Sequence, residues 1–297
     1  DFVKAVGGDY VTVKELIPPG SSPATYELKP QDLIAIEDAD LYFRIGHIPF
    51  EKANMGNIIS ANPSLIVVDT SENVDLRYFG EHDEHGHDED HEDSYENETD
   101  HDEEGHDEEH EEGHEEEHAD EGHGEDNHDD GHDHGTGSVD PHIWLSPEAV
   151  KLQAESIYSA LASMDPERAD YYRSNADAYI AKLDDLHDSL EASFSDIETK
   201  TLMVFHPAWG YLAEEYGLEQ LAIEQSGKEP TASQLQNIID RANAEGVKVI
   251  FVQKQFDISI AESIAEEIGA AVVQIDPLAE DYVTNMESIG KKINDYL

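Results

Sequence analysis

The 54 residues from Glu81 to His134 hold 29 Asp or Glu and 13 His, no Lys or Arg, and only Tyr95 and Ala119 from the apolar class. A segment of this make-up cannot bury enough surface to offset the entropy of ordering it. It is therefore expected to stay disordered, and any fold must be built from what lies on either side. The length of 297 residues leaves enough chain for about two domains. Outside the tract the chain still carries 41 acidic against 17 basic side chains. That balance excludes binding to nucleic acid or to an anionic membrane surface through a basic patch. With no cysteine, a disulfide framework and a thiolate metal site are also excluded, so a metal would have to be held by His and carboxylate. No run of 18 apolar residues occurs, and the chain opens at Asp1 without a charged and apolar leader.

The flanks read as alternating strands and helices. Tyr10 to Leu16 alternates apolar and polar residues, Gln31 to Ala39 is helical in pattern, and Asp40 to Gly46 and Ser64 to Asp69 are compact apolar runs of the kind found in buried parallel strands. After the tract, Ser146 and Pro147 open a helix. Asp165-Pro166 opens a longer one in which Ala169, Tyr172, Ala176, Ile180, Leu183, Leu186, Leu190 and Phe194 recur in steps of three or four. That predicts a helix of roughly 30 residues, about 45 Å long. A second alternating block follows, with strands at 201–205, 218–223, 247–252 and 270–275 and helices at 208–216, 231–244, 258–268 and 283–296. The expected fold class is α/β: two similar lobes with mainly parallel sheets, joined by one long rigid helix, with a metal site in the cleft between them. The boundaries predicted are 1–164 for the first lobe with its insert at about 81–136, 165–197 for the linking helix and 198–297 for the second lobe.

The histidines sort by position. His206 and Asp276 each follow a predicted parallel strand directly, and His47 follows DLYFRIG in the same way. Ligands of open α/β sheets bind outside the carboxyl ends of the strands. His142 lies in a loop just before a helix and also suits a cleft. Three imidazoles and a carboxylate make a good four-coordinate zinc site, whereas manganese would want more oxygen. His187, among Asp184, Asp185 and Asp188 on the long helix, reads as an ordinary hydrogen-bonded core or surface histidine.

The motifs DPHIWLSP (Asp140 to Pro147), FHPAWGYLAEEYGLEQ (Phe205 to Gln220), GKEPTASQL (Gly227 to Leu235), FVQKQF (Phe251 to Phe256) and IDPLAEDYVTNM (Ile275 to Met286), with PPGSSPATYELKP near the front, carry a resemblance through the whole chain outside the tract. They resemble the zinc-specific solute-binding proteins of ABC importers, the ZnuA-like group within a metal-binding cluster that also serves manganese. A His- and acid-rich loop before DPHIWLSP is itself a feature of the zinc members. The resemblance implies two lobes bridged by a long helix, Zn2+ in the cleft as the transported ligand, an ABC permease as partner, and a place outside the cytoplasmic membrane, periplasmic or lipid-anchored through a segment beyond these residues. A monomer is expected. Carried over residue by residue, two histidine ligands fall on His142 and His206 and the acidic ligand on Asp276. The family's first histidine belongs in a Pro-His-x-Tyr-Glu segment that here reads Pro23-Ala24-Thr25-Tyr26-Glu27. Alanine cannot coordinate, so His47 is the nominated replacement, with water, Glu51 or a histidine of the tract as alternatives. Glu229 of GKEP is the expected orienting carboxylate.

The tract offers His82, His85, His87, His91, His101, His106, His110, His114, His118, His123, His128, His132 and His134, all set among carboxylates. Neutral imidazoles in a negative field attract divalent cations, and the expected role is weak accessory capture of several zinc ions. Rival functions are a manganese receptor of the same cluster, a zinc-dependent hydrolase and a surface metal buffer. Against the hydrolase, H-E-x-x-H, G-x-S-x-G, Walker and G-x-G-x-x-G signatures are missing, so no enzyme is expected.

Overall fold

The computed structural model describes residues 1–79, 138–224 and 230–297. The tract histidines and Glu229 lie outside the described residues, and so do the readings that rest on them.

After a short helix α1 (Phe2–Gly7), the segment read as a first strand does not join a ladder. Tyr10 closes a 3-10 turn, and from Thr12 to Glu15 the side chains are exposed. Val11 packs on the main core, and Leu16 and Ile17 on a smaller one. The alternation is real, but its middle has no apolar surface to cover. Helix α2 (Pro30–Glu37) leads to β1 (Leu41–Arg44), which pairs in parallel with β2 (Ile66–Asp69), Leu41 opposite Ile66 and Arg44 opposite Asp69. Helix α3 (Pro49–Ala61) makes the crossover, with Pro at its first turn where a missing N–H costs nothing. Asn62 closes it by donating to the carbonyls of Ile36 at 3.0 Å and Ala39 at 2.8 Å.

The two ends of the chain that flank the tract meet. Tyr78 and Val139 form an antiparallel bridge, and Asp140 N–H donates to Arg77 C=O at 2.8 Å. An insertion whose ends are already joined costs the rest of the fold little.

Helix α4 (Pro147–Met164) is capped by Ser146, whose Oγ accepts from Ala149 N–H at 3.0 Å. Helix α5 (Ala169–Phe194) has 26 residues, about 39 Å, and is shorter than the periodicity predicts because Pro166–Arg168 tighten into a 3-10 turn. Its buried stripe, Tyr172, Ala176, Tyr179, Leu183, Leu186, Leu190 and Phe194, packs against α1, α4 and α9 (Tyr282–Tyr296). The same core runs on into the second sheet through Leu202, Val204, Val249 and Phe251. The long helix is thus embedded along its length.

The second sheet is four-stranded and wholly parallel, in the order β4-β3-β5-β6. Its strands are β3 (Thr201–Val204), β4 (Glu219–Ala222), β5 (Val249–Gln253) and β6 (Ala271–Ile275). Helices α6 (Gly210–Glu215), α7 (Ala232–Ala244) and α8 (Ser259–Ile268) connect them. β3 and β5 are buried at every residue, as expected of central parallel strands. β4 lies on one side of β3 and β5 on the other, so the strand order reverses between β3 and β5. Such a reversal opens a crevice at the carboxyl ends of these strands.

Candidate metal centre

His206 stands at that reversal, two residues beyond β3. Gln253, the last residue of β5 and almost fully buried, fixes its backbone from both sides. The Gln253 amide donates to His206 C=O at 2.8 Å, and its carbonyl accepts from His206 N–H at 3.3 Å. The ring stacks on Phe256 with centroids 5.0 Å apart. Its Nδ1 lies 2.7 Å from Oε2 of Glu224, a buried carboxylate just past β4.

His142 is held by the same device. Asp140, 2% exposed, places Oδ1 3.0 Å from the His142 backbone N–H and 2.7 Å from His142 Nδ1. The two-residue spacing of Asp-Pro-His makes this local turn available from sequence. Asp140 is held in turn by contacts across the fold. Its C=O accepts from Tyr211 Oη at 3.0 Å, and a Cβ on Gly210 would come within 2.9 Å of its Oδ2. Glycine is what lets α6 approach this closely.

The two imidazoles face each other with centroids 5.3 Å apart. A carboxylate only accepts, so each Nδ1 carries the proton, and in the neutral tautomer that this selects Nε2 is the atom with the lone pair. Burial pushes the His142 imidazole below its ordinary pKa, and neighbouring His206 acts in the same direction against the pull of Asp140. The ring is accordingly neutral at pH 7, the form that binds a metal. A carboxylate on the far nitrogen of an imidazole is the usual support of a metal-ligating histidine.

The other nominated residues are placed differently. Asp276 follows β6, with Oδ1 accepting from Gln255 Nε2 and Leu278 N–H, each at 3.1 Å, and Oδ2 3.5 Å from Lys254 Nζ. Its neighbour Pro277 accepts from Trp144 Nε1 at 3.0 Å, and Trp144 packs against His142 at 5.2 Å. Asp276 is thereby tied to the His142 loop, although its carboxylate does not join the two imidazoles in one cluster of donors among the described residues. His47 follows Gly46, whose φ of 89° needs glycine, and its Nε2 lies 3.3 Å from Ser71 Oγ. It does not join such a cluster either. Burial lowers the His47 pKa, Asp69 opposing and Lys52 and Arg44 assisting. Glu51 is buried and accepts from the N–H groups of Ile45 at 3.0 Å and Gly46 at 2.6 Å, which engages both oxygens in shaping that turn. Ala24 is exposed in a turn. Asp140, Glu224 and Gln253 were not singled out from sequence. The strand-edge rule that selects His206 and Asp276 would have found Glu224 as well.

Two parallel sheets with a long helix between them in sequence, and a braced imidazole pair with one ring at a strand edge, are the features of an α/β solute-binding protein. The family described as "ZnuA: Zinc-uptake complex component A periplasmic" matches residues 1–296. The chain is 31% identical over 285 residues to the high-affinity zinc uptake system protein ZnuA of Bacillus subtilis (strain 168), covering 94% of this chain and 75% of that protein. It is 27% identical over 283 residues to the zinc-binding protein AdcA of Streptococcus pyogenes serotype M3, covering 94% of this chain and 48% of that one, so it spans about half the length of this streptococcal relative. Among solved structures it is similar to a crystal structure of ZnuA, with a TM-score of 0.78 at 30% identity, covering 99% of this chain and 94% of that one. A zinc-bound ZnuA deletion mutant gives the same TM-score and identity, covering 99% and 93%. The chain belongs to the ZnuA family.

Proposed function

We propose that the chain is an extracytoplasmic receptor that captures Zn2+ with high affinity and hands it to an ABC-type permease. The observation that carries the reading is the pair His142 and His206, ring centroids 5.3 Å apart, each braced at Nδ1 by a buried carboxylate so that Nε2 is the nitrogen offered to a metal. Asp276 is the nominee for the carboxylate ligand, supported by the Trp144 to Pro277 contact that links its loop to that of His142. His47 is the nominee for the fourth position. Two or three imidazoles against one carboxylate favour zinc over manganese.

The division into a first lobe (1–164), a linking helix (165–197) and a second lobe (198–297) is part of this proposal, as are a monomeric state and the absence of turnover. No described helix is long and apolar enough to cross a membrane. In sequence the tract lies between Tyr78 and Val139, whose bridge leads into Asp140, and its proposed role is to gather zinc weakly.

The test is a competitive zinc titration. Replacing His142 and His206 together by alanine removes the tight phase. His47→Ala weakens it by about tenfold or more if the ring is a ligand. Survival of tight binding in the double variant refutes the site, and unchanged affinity in His47→Ala, measured without the tract, gives the fourth position to water or a carboxylate. Ester or peptide turnover that depends on bound zinc would favour the hydrolase reading instead.

A further inference from the structure

Glu148, His187 and Glu215 come from three helices, the first turn of α4, the middle of α5 and the end of α6, and converge on one imidazole nitrogen. His187 Nδ1 lies 2.8 Å from Glu215 Oε1, 3.7 Å from Glu148 Oε1 and 3.2 Å from Tyr216 Oη. One nitrogen offers a single proton or a single lone pair, so it serves one of these partners at the expense of the others. Lys151 Nζ bridges Glu148 at 2.5 Å and Asp184 at 2.7 Å from the outer side. The hydrogen-bonded histidine expected at position 187 is the centre of a cluster that ties the long helix to its neighbours on both sides.

We propose that Glu148, His187 and Glu215 form a second divalent-cation site, which pins α5 to α4 and α6 and shares no residue with the His142 and His206 pair. Zinc holds nitrogen and carboxylate donors at about 2.0 to 2.2 Å, which sets neighbouring donors of a tetrahedron roughly 3.3 to 3.6 Å apart. The separations of 2.8 and 3.7 Å bracket that spacing, so small side-chain rotations complete the cage. A cation there satisfies Nδ1 and both carboxylates at once, and Lys151 keeps Asp184 as its partner. Burial, with Glu215 beside it, raises the Tyr216 pKa well above its ordinary value, so its hydroxyl stays protonated and acts as a donor to the cluster. Glu148 is half-exposed and supplies the entry side, while Glu215 is largely enclosed. One nitrogen and two carboxylates suit zinc and, more weakly, manganese.

Hydrogen exchange read peptide by peptide on the full chain isolates this site from the tract. The probe is zinc, and the background is His142→Ala with His206→Ala. Zinc at ten times the site's Kd is expected to slow exchange across residues 184–191 and 210–217 by about tenfold. Glu148→Gln combined with Glu215→Gln abolishes that protection. The single variant Glu148→Gln, at a half-exposed position that tolerates the change, reduces it in the otherwise native chain. Equal protection with and without the two glutamines would assign the effect to other ligands, and no zinc-dependent protection in the background would leave His187 as an ion pair only. Either result overturns the proposal.

Discussion

At the scale of single residues, the account rests on two carboxylates that hold two imidazoles. Asp140 and Glu224 each meet an Nδ1 at 2.7 Å from a buried position. Asp140→Asn and Glu224→Gln keep the shape but weaken the acceptor and allow the wrong tautomer. Each is expected to lower zinc affinity by about 10- to 100-fold, with the far-ultraviolet circular dichroism unchanged. A chelator-competition titration reads this, and affinity within twofold of the parent would mean that the carboxylates do not position the rings. The histidines of this pair were legible in sequence because each lies in a long motif at a predicted strand or helix edge. Their braces were passed over although the strand-edge rule reaches Glu224 and the Asp-Pro-His spacing offers Asp140, because what each carboxylate holds shows only once the fold brings Glu224 to His206 and closes Tyr211 and Gly210 over Asp140.

At the scale of elements, the second sheet was the most legible part. Its central strands β3 and β5 are short apolar runs buried at every residue, and the structure places a strand on each run predicted from 201 onward. The failure at Tyr10 to Leu16 has a definite cause. Alternation predicts a strand only where one face is covered, and here the middle of the segment faces solvent. Two contacts between elements lead to predictions. Gly210→Ala puts a methyl group within 2.9 Å of Asp140 Oδ2 and 3.0 Å of Arg77 Nε, so α6 must move away from the His142 loop. The expected cost is about 1 to 3 kcal/mol in thermal unfolding, together with weaker zinc binding. An unchanged melting temperature would show that the loop yields without loss. Glu245, just after α7, accepts from Thr201 Oγ1 at 2.6 Å and Arg241 Nε at 2.7 Å. Burial alone would raise its pKa, but the Thr201 and Arg241 contacts outweigh burial and hold it below 4.5. A depressed carboxylate pKa stabilises the fold above the unfolded value, and that contribution is lost as pH falls through the folded one. Glu245→Gln should therefore lower the melting temperature by about 2 °C at pH 7, with the difference shrinking as pH falls below about 4.5. A difference that does not change with pH would assign the effect to packing.

At the scale of the whole molecule, the chain divides its acidity between a tract of 29 carboxylates and a remainder that is still in excess by 24 negative charges. In sequence the tract lies between Tyr78 and Val139, whose bridge leads to Asp140. Deleting residues 81–134 is expected to remove the weak zinc capacity while leaving the tight site intact. Native mass spectrometry counts the bound ions, and loss of all zinc on deletion would reduce the protein to a buffer. The long helix is packed along its whole length into a core continuous with β3 and β5, so metal capture should proceed by side-chain and loop adjustment. In solution scattering of the tract-deleted chain, the radius of gyration is expected to change by less than about 1 Å on zinc loading, since large hinge opening would have to break that core. The central claim concerns where the zinc sits. Its most direct test is anomalous diffraction at the zinc edge from crystals grown with one equivalent of metal. The account predicts a single strong peak about 2.0 to 2.2 Å from Nε2 of both His142 and His206, with their Nδ1 atoms still on Asp140 and Glu224. A peak elsewhere, or one bonded through either Nδ1, would contradict it.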